Sequence, residues 1–332
     1  MQKNSQFSVR RTLLAAALGV SALAVAGPGM AASDYPSQPV KITVPFPPGG
    51  SADLFARIVG EGLSRQWGQP VIVDNKPGAG GVVATQAVAR LPSDGYNLMV
   101  VTVGHAINPH LYSKLPYDTS KDLMPLAKLA TMPSLLVVNP RHTAATSVQE
   151  LVAQAKQGTK TQTFASSGNA STSHVAAALL NTATGIEPTH VPYKGSAPAM
   201  TDLLSGHVDW MIDPLATALP HVKAGKLKAL AITTNKRSQL APDIPSMEEA
   251  GVKGYDFASW FLMLAPSGVP DTVAQRINQD IATVLQDSAV RQRFTELGAE
   301  AGSGTPAELQ GFVQQEIQRY GALVKQSGMK VE

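Results

Sequence analysis

Short apolar runs, each followed by a glycine-rich turn and then by apolar residues at helical spacing, succeed one another along this chain. That alternation restricts the fold to layered α/β with largely parallel sheets, because parallel neighbours need a crossover and a helix is the usual one. The first unit sets the pattern. A strand at 40–46 precedes Leu54, Phe55, Ile58, Val59, Leu63 and Trp67, which share one helical face. Further strands are predicted at 71–73, 98–103, 134–138, 163–165, 190–193, 210–213 and 227–233. Helices are predicted at 81–89, 147–156, 173–183, 198–204, 246–250, 272–285, 289–297 and 306–325. Two extended, Pro-bearing segments, 125–133 and 260–270, are candidates for passage between two sheets. If both cross, one domain is built from 33–130 plus 260–332 and the other from 131–259. The cleft between them is where a small ligand is expected.

Residues 1–32 stand apart. Positions 1–11 are polar and basic, 12–26 are uncharged and small or apolar, and Gly27-Pro28-Gly29-Met30-Ala31-Ala32 breaks the run. This is the three-part order of a secretory signal peptide, with cleavage expected after Ala31 or Ala32. The apolar run is short of the roughly 20 residues a membrane span needs. Export bears on the charge as well. The net charge of +3 is accounted for by Lys3, Arg10 and Arg11, leaving 24 basic against 24 acidic residues in 33–332. A balanced mature chain has no field for phosphate backbones, so nucleic acid is excluded as a partner. The absence of Cys removes disulfides, thiolate metal sites, a Cys nucleophile and a lipidated anchor. A soluble, unlipidated protein of a Gram-negative periplasm is the expectation.

Three turns share one physical design: Phe46-Pro47-Pro48-Gly49-Gly50-Ser51-Ala52-Asp53, Ser166-Ser167-Gly168-Asn169-Ala170-Ser171-Thr172-Ser173-His174 and Tyr193-Lys194-Gly195-Ser196-Ala197-Pro198. Each follows a predicted strand and opens a helix. The first turn of a helix has unpaired N–H groups and the positive end of the dipole, so it can hold an anion without a cationic side chain. Gly lets backbone approach, and Ser and Asn add donors. The same residues also serve as ordinary turn and cap residues. Asp53 has Arg57 at i+4 as an ion-pair partner, and Lys194 is the cation of the three loops.

Seven histidines, His105, His110, His142, His174, His190, His207 and His221, show no metal-ligand spacing, and no metal or cofactor is expected. Ser171, His174 and Asp213 can be drawn as a hydrolase triad, but no G-x-S-x-G elbow accompanies them. Pro77-Gly78-Ala79-Gly80-Gly81 falls short of a dinucleotide fingerprint, since Val83 stands at the third glycine position. His105 and His174, each beside a predicted loop, are candidate donors to a bound anion.

Several segments together carry a family resemblance. Val44-Pro45-Phe46-Pro47-Pro48-Gly49-Gly50 with Asp53 and Arg57, Asp74-Asn75-Lys76-Pro77-Gly78-Ala79-Gly80-Gly81, Pro92-Ser93-Asp94-Gly95-Tyr96 and His105-Ala106-Ile107-Asn108-Pro109 make up the first part. Ser166-Ser167-Gly168-Asn169, His190-Val191-Pro192-Tyr193-Lys194-Gly195, Pro220-His221-Val222-Lys223-Ala224-Gly225 and Leu264-Ala265-Pro266 continue it in order. In these the chain resembles the Bug-type substrate-binding proteins of tripartite tricarboxylate transporters. The resemblance implies a periplasmic binding protein of type II, a Venus flytrap of two α/β domains joined by two crossing strands. It implies reversible capture of a small mono-, di- or tricarboxylate, aliphatic or aromatic, by a monomer, and delivery to membrane permease subunits, without catalysis. The ligand residues it implies are Phe46, Pro48, Gly49, Gly50, Ser51 and Ala52 on one side, and Ser166, Ser167, Gly168, Asn169 and Ser171 with Tyr193, Lys194, Gly195 and Ser196 on the other. Asp213 is added, although Pro214 follows it where relatives have Asn or a small residue. The alternatives are a periplasmic hydrolase using Ser171 and His174, or a sensor partner that presents its ligand to a membrane kinase.

Overall fold

The computed structural model describes residues 35–157, 161–169 and 171–327; the leader expected at 1–32 and Ala170 of the second turn lie outside the described residues. Every element below belongs to one compact body within Pro36–Glu332.

In the first half, β1 (Val40–Val44) lies between β2 (Val71–Asn75) and β3 (Asn97–Val101), all parallel. Val40, Ile42 and Val44 are buried on one face and Thr43 on the other, as in strands covered on both sides by crossover helices. Those helices are α1 (Ser51–Trp67), α2 (Val82–Val88) and α3 (Gly104–Leu111). α1 buries Phe55, Ile58, Val59 and Leu63, and the Phe55 ring lies 4.8 Å from both Phe261 and Phe294. The helix stops at Gly68, which turns left-handed and returns its N–H to Ser64.

The second half begins with β4 (Leu123–Val138) and α4 (Val148–Gln157). Then come β5 (Thr163–Ser166), α5 (Thr172–Thr184), β6 (Thr189–Pro192) and α6 (Ser196–Ser205). β7 (Trp210–Pro214), α7 (Leu215–Lys223) and β8 (Lys228–Ile232) complete it. β5 is parallel to both β6 and β7, while β4 runs antiparallel to β7 and β8. β9 (Ala258–Pro266), α8 (Asp271–Gln286), α9 (Ser288–Glu296), β10 (Glu300–Ala301) and α10 (Pro306–Ser327) then return to the first half.

The halves meet on β4. Pro133 pairs with Ala258 of β9, and the next residue, Ser134, pairs with Pro214 at the end of β7. β9 is antiparallel to both β3 and β4, so β1 and β3 run toward the Pro133 end. β7 is antiparallel to β4, so β7 and its parallel partners run back toward Ser134. The carboxyl edges of both parallel sets therefore point at one crossover. Thr233 ties that crossover: its N–H donates to Ser134 O at 2.9 Å, and its Oγ1 accepts from Ser134 N–H at 2.9 Å. This is the expected two-unit α/β architecture of a periplasmic binding protein, joined at β4 and β9. One apolar cluster links the units, from Val101 through Leu262 and Leu136 to Trp210. α10 packs across them, against α3, β4 and α5.

Three local departures from the sequence reading have physical causes. The sequence pattern predicts no helix at α3 or α7; Pro109 and Pro220 lie inside them, and proline removes a helical hydrogen bond. Burial of Ala106 and Ile107 in α3 and of Leu215 and Ala218 in α7 outweighs that loss. The helix predicted at 246–250 is a single turn. Ser246 and Glu249 cap each other reciprocally, but Gly251 turns left-handed and stops it.

Candidate functional site

The turn after β1 is built around one buried acid. Asp53 Oδ2 accepts from Gly49 N–H at 2.9 Å, and the carboxylate also takes Arg57 Nε at 3.0–3.1 Å and Asn75 Nδ2 at 2.9 Å. Asn75 Nδ2 further donates to Phe46 O at 3.0 Å. Burial pushes the Asp53 pKa up, but the bonds from Arg57, Gly49 and Asn75 outweigh it and hold the acid below the ordinary carboxylate range. The acid is thus neutralised in place. Gly49 is left-handed; it, Pro48 and Gly50 are exposed, while Phe46 and Ser51 are half-buried and Ala52 buried. Gly50 is the N-cap of α1 and supplies no side-chain cap. The N–H groups of Ser51, Ala52 and Asp53 are the ones a first helical turn leaves without helical partners.

The turn after β5 is closed on itself. Ser166 Oγ accepts from Gly168 N–H at 3.2 Å, and Ser173 Oγ accepts from Ser167 N–H at 2.8 Å. Ser171 caps α5 by accepting from His174 N–H. Asn169 is exposed at the tip. The amides of Ser167 and Gly168 are therefore used inside the turn, and Asn169 is what it presents outward.

The turn after β6 docks on that one: Gly195 N–H donates to Ser167 O at 3.1 Å and Tyr193 N–H to Ser166 O at 3.0 Å. Tyr193 OH donates to Asp202 at 2.6 Å; burial and the Asp202 charge push the phenol up to about 12. Lys194 is exposed. Gly195 caps α6 without a side-chain bond, so the N–H groups of Ser196 and Ala197 begin that helix as Ser51 and Ala52 begin α1. Ser196 Oγ and Thr217 Oγ1 both donate to Asp213, which is fully buried. Burial raises the Asp213 carboxyl to about 6 against these two bonds.

His105 sits on α3 in the interior, its Nδ1 buried with no hydrogen-bond partner, and burial lowers it to about 4. His174 is likewise lowered to about 4, by burial and then by His190, on which its ring stacks at 3.9 Å. The hydrolase candidates each have other bonds: Ser171 caps α5, His174 stacks on His190, and Asp213 holds Ser196 and Thr217. A cavity of about 470 Å³ beside α5 is lined by Phe164, His174, Glu187 and His190, and one of about 1040 Å³ by Lys128, Arg237, Asn278 and Thr305. The turns at 46–52 and 193–196 lie outside both.

Three residues outside the expected ligand set support these turns. Asn75 sits opposite Val44 in the β1–β2 register, a pairing visible only once the strands are placed. Ser173 and Thr217 stand two residues from Ser171 and four from Asp213, spacings that side-chain bonding inside a helical turn uses. Ala79, in the turn after β2, holds a φ of 45°, which a residue with a Cβ adopts at a cost of about 1–3 kcal/mol. That turn lies beside Pro45.

Among the described residues no helix is long and apolar enough to cross a membrane. The family profile described as "Tripartite tricarboxylate transporter family receptor" matches residues 55–329. Protein BugT of Bordetella pertussis is 35% identical over 327 residues, covering 98% of this chain and 100% of its own. The R. palustris protein Rpa4515, solved with adipate, is 38% identical with a TM-score of 0.80, over 90% of this chain and 100% of that one. MatC from Rhodopseudomonas palustris, solved with bound malate, is 34% identical with a TM-score of 0.76, over 87% of this chain and 100% of that one.

Proposed function

This chain belongs to the tripartite tricarboxylate transporter receptor family, in its Bug-type branch, and from that membership we propose a role in capturing a small organic carboxylate for delivery to the membrane permease subunits of such a transporter. The protein works in the periplasm as a monomer, without catalysis and without a cofactor, its leader at 1–32 removed on export. The ligand enters the cleft between 33–130 plus 260–332 and 131–259.

The observation that carries this reading is the pair of glycine-capped helix starts at the converging carboxyl edges. α1 begins at Gly50 and α6 at Gly195, neither capped by a side chain. The guest carboxylate substitutes for the missing caps, accepting from Ser51 and Ala52 on one side and from Ser196 on the other, with Asn169 as a side-chain donor. Gly49, Pro48, Phe46 and Asp53 shape the first wall; Ser166, Ser167, Gly168, Ser171, Tyr193, Lys194 and Asp213 shape the second. His105 and His174 support these walls from behind. Contact with both halves at once stabilises a closed form over an open one. Adipate and malate in two relatives support dicarboxylates as the first acids to try.

The test is a thermal-stability panel of organic acids on the mature protein, with product analysis in parallel. An acid at 100 times its Kd adds about 2.7 kcal/mol of stability. A shift without turnover supports capture, whereas turnover of an ester or amide would replace it with a hydrolase.

A further inference from the structure

Ser166 ends β5 fully buried, and its hydroxyl is the pivot of the turn that follows. Oγ donates to Gly168 O at 3.1 Å, accepts from Gly168 N–H at 3.2 Å and lies 2.6 Å from His190 Nε2. A hydroxyl has one proton, so with that proton on Gly168 O the imidazole completes the set by donating its Nε2–H. The ring of His190 is itself clamped. It stacks on Phe164 at 4.7 Å and on His174 at 3.9 Å, and Phe164 stacks in turn on Trp210 at 4.9 Å. The chain of contacts continues outward, because Ser166 O and Ser167 O accept from Tyr193 N–H and Gly195 N–H. The start of α6 thus inherits the geometry of the turn.

We infer that His190 is a positioning residue for ligand capture: its stacked imidazole fixes the Ser166 hydroxyl, and through it both the 166–168 turn and the Gly195 cap of α6. The inference rests on the capture role proposed above. His190 makes this contribution from behind the turn, since its ring lines the cavity of about 470 Å³ beside α5.

Two variants separate the bond from the packing. His190→Phe keeps a flat ring in the stack and loses the donor, whereas His190→Gln keeps an N–H donor and loses the ring. Calorimetric titration with adipate and malate is expected to show about a 10-fold loss of affinity for His190→Phe, the effect of one net hydrogen bond. For His190→Gln the affinity returns to within about 2-fold of the parent. Ser166→Ala removes the same bond from the other side and is expected to reproduce the loss, which covers the case in which His190→Phe does not fold. In the ligand-free protein, the ¹H–¹⁵N amide resonances of Gly168 and Gly195 are expected to move in His190→Phe and to hold in His190→Gln. Parent-like affinity and unmoved amides in His190→Phe would overturn the inference. If neither acid binds the parent protein, it is the capture role for dicarboxylates that fails, and the ligand-free amide shifts alone decide the role of His190.

Discussion

Asp53 reaches back across one turn to accept the N–H of Gly49 at 2.9 Å, so an acid inside α1 shapes the loop that precedes the helix. Asp53→Ala leaves Gly49, Asn75 and Arg57 without their shared acceptor. The half-exposed Arg57 finds water, which limits the cost to about 2–3 kcal/mol by thermal or urea unfolding at pH 7. Because the folded Asp53 has a lowered pKa, its contribution is complete above the ordinary value of 3.8 and is lost as pH falls through the folded value. The gap between parent and variant is therefore expected to close in strong acid.

Asp213 has the opposite sign. Its folded pKa of about 6 lies above the ordinary 3.8, so between these values the folded state binds more protons than the unfolded one. Stability from this group falls as pH rises from about 4 to 6, by up to about 3 kcal/mol. Asp213→Asn keeps an acceptor for Ser196 or Thr217 and removes the buried charge. It is expected to raise the melting temperature at pH 7.5 and to give no gain near pH 4. A gain of equal size at both pH values would contradict the assignment.

Gly195 holds φ 113° and ψ 169°, a region other residues rarely occupy, although an added Cβ would meet nothing within 4 Å. Gly195→Ala is expected to cost about 1–3 kcal/mol through backbone strain alone. It also displaces the N–H that Ser167 O accepts. Affinity for a bound acid should fall with it, measured by calorimetry below the melting range of the variant.

Much of the architecture is legible in the sequence because strand and helix periodicities are strong wherever burial is strong. Val40, Ile42 and Val44 announce β1, and Phe55, Ile58 and Leu63 announce α1. The glycine-rich turns are legible too, since Gly49 and Gly195 hold the positive φ values glycine favours. What could not be read were relationships between distant residues. Asn75 reaches Phe46 and Asp53 only because β2 pairs with β1 in one register. His190 reaches Ser166 only because β6 lies beside β5. Nor does spacing alone show that the Ser167 and Gly168 amides are consumed within their own turn, a fact that moves the weight of the second wall toward Ser196 and Asn169.

Free amides at the start of α1 are proposed to grip the ligand carboxylate, and Gly50→Asp challenges that grip at its source. Gly50 has an ordinary φ of −79°, and an added Cβ would meet nothing closer than Pro47 O at 3.9 Å, so the substitution fits. The new carboxylate caps the first turn and competes with the guest from within the chain. By calorimetry against the best acid of the panel, the expected result is a folded variant within about 1 kcal/mol of the parent in stability, with affinity reduced by at least about 100-fold, roughly 2.7 kcal/mol, while Gly50→Ala binds nearly as the parent does. Parent-like affinity in Gly50→Asp would show that the acid is held elsewhere.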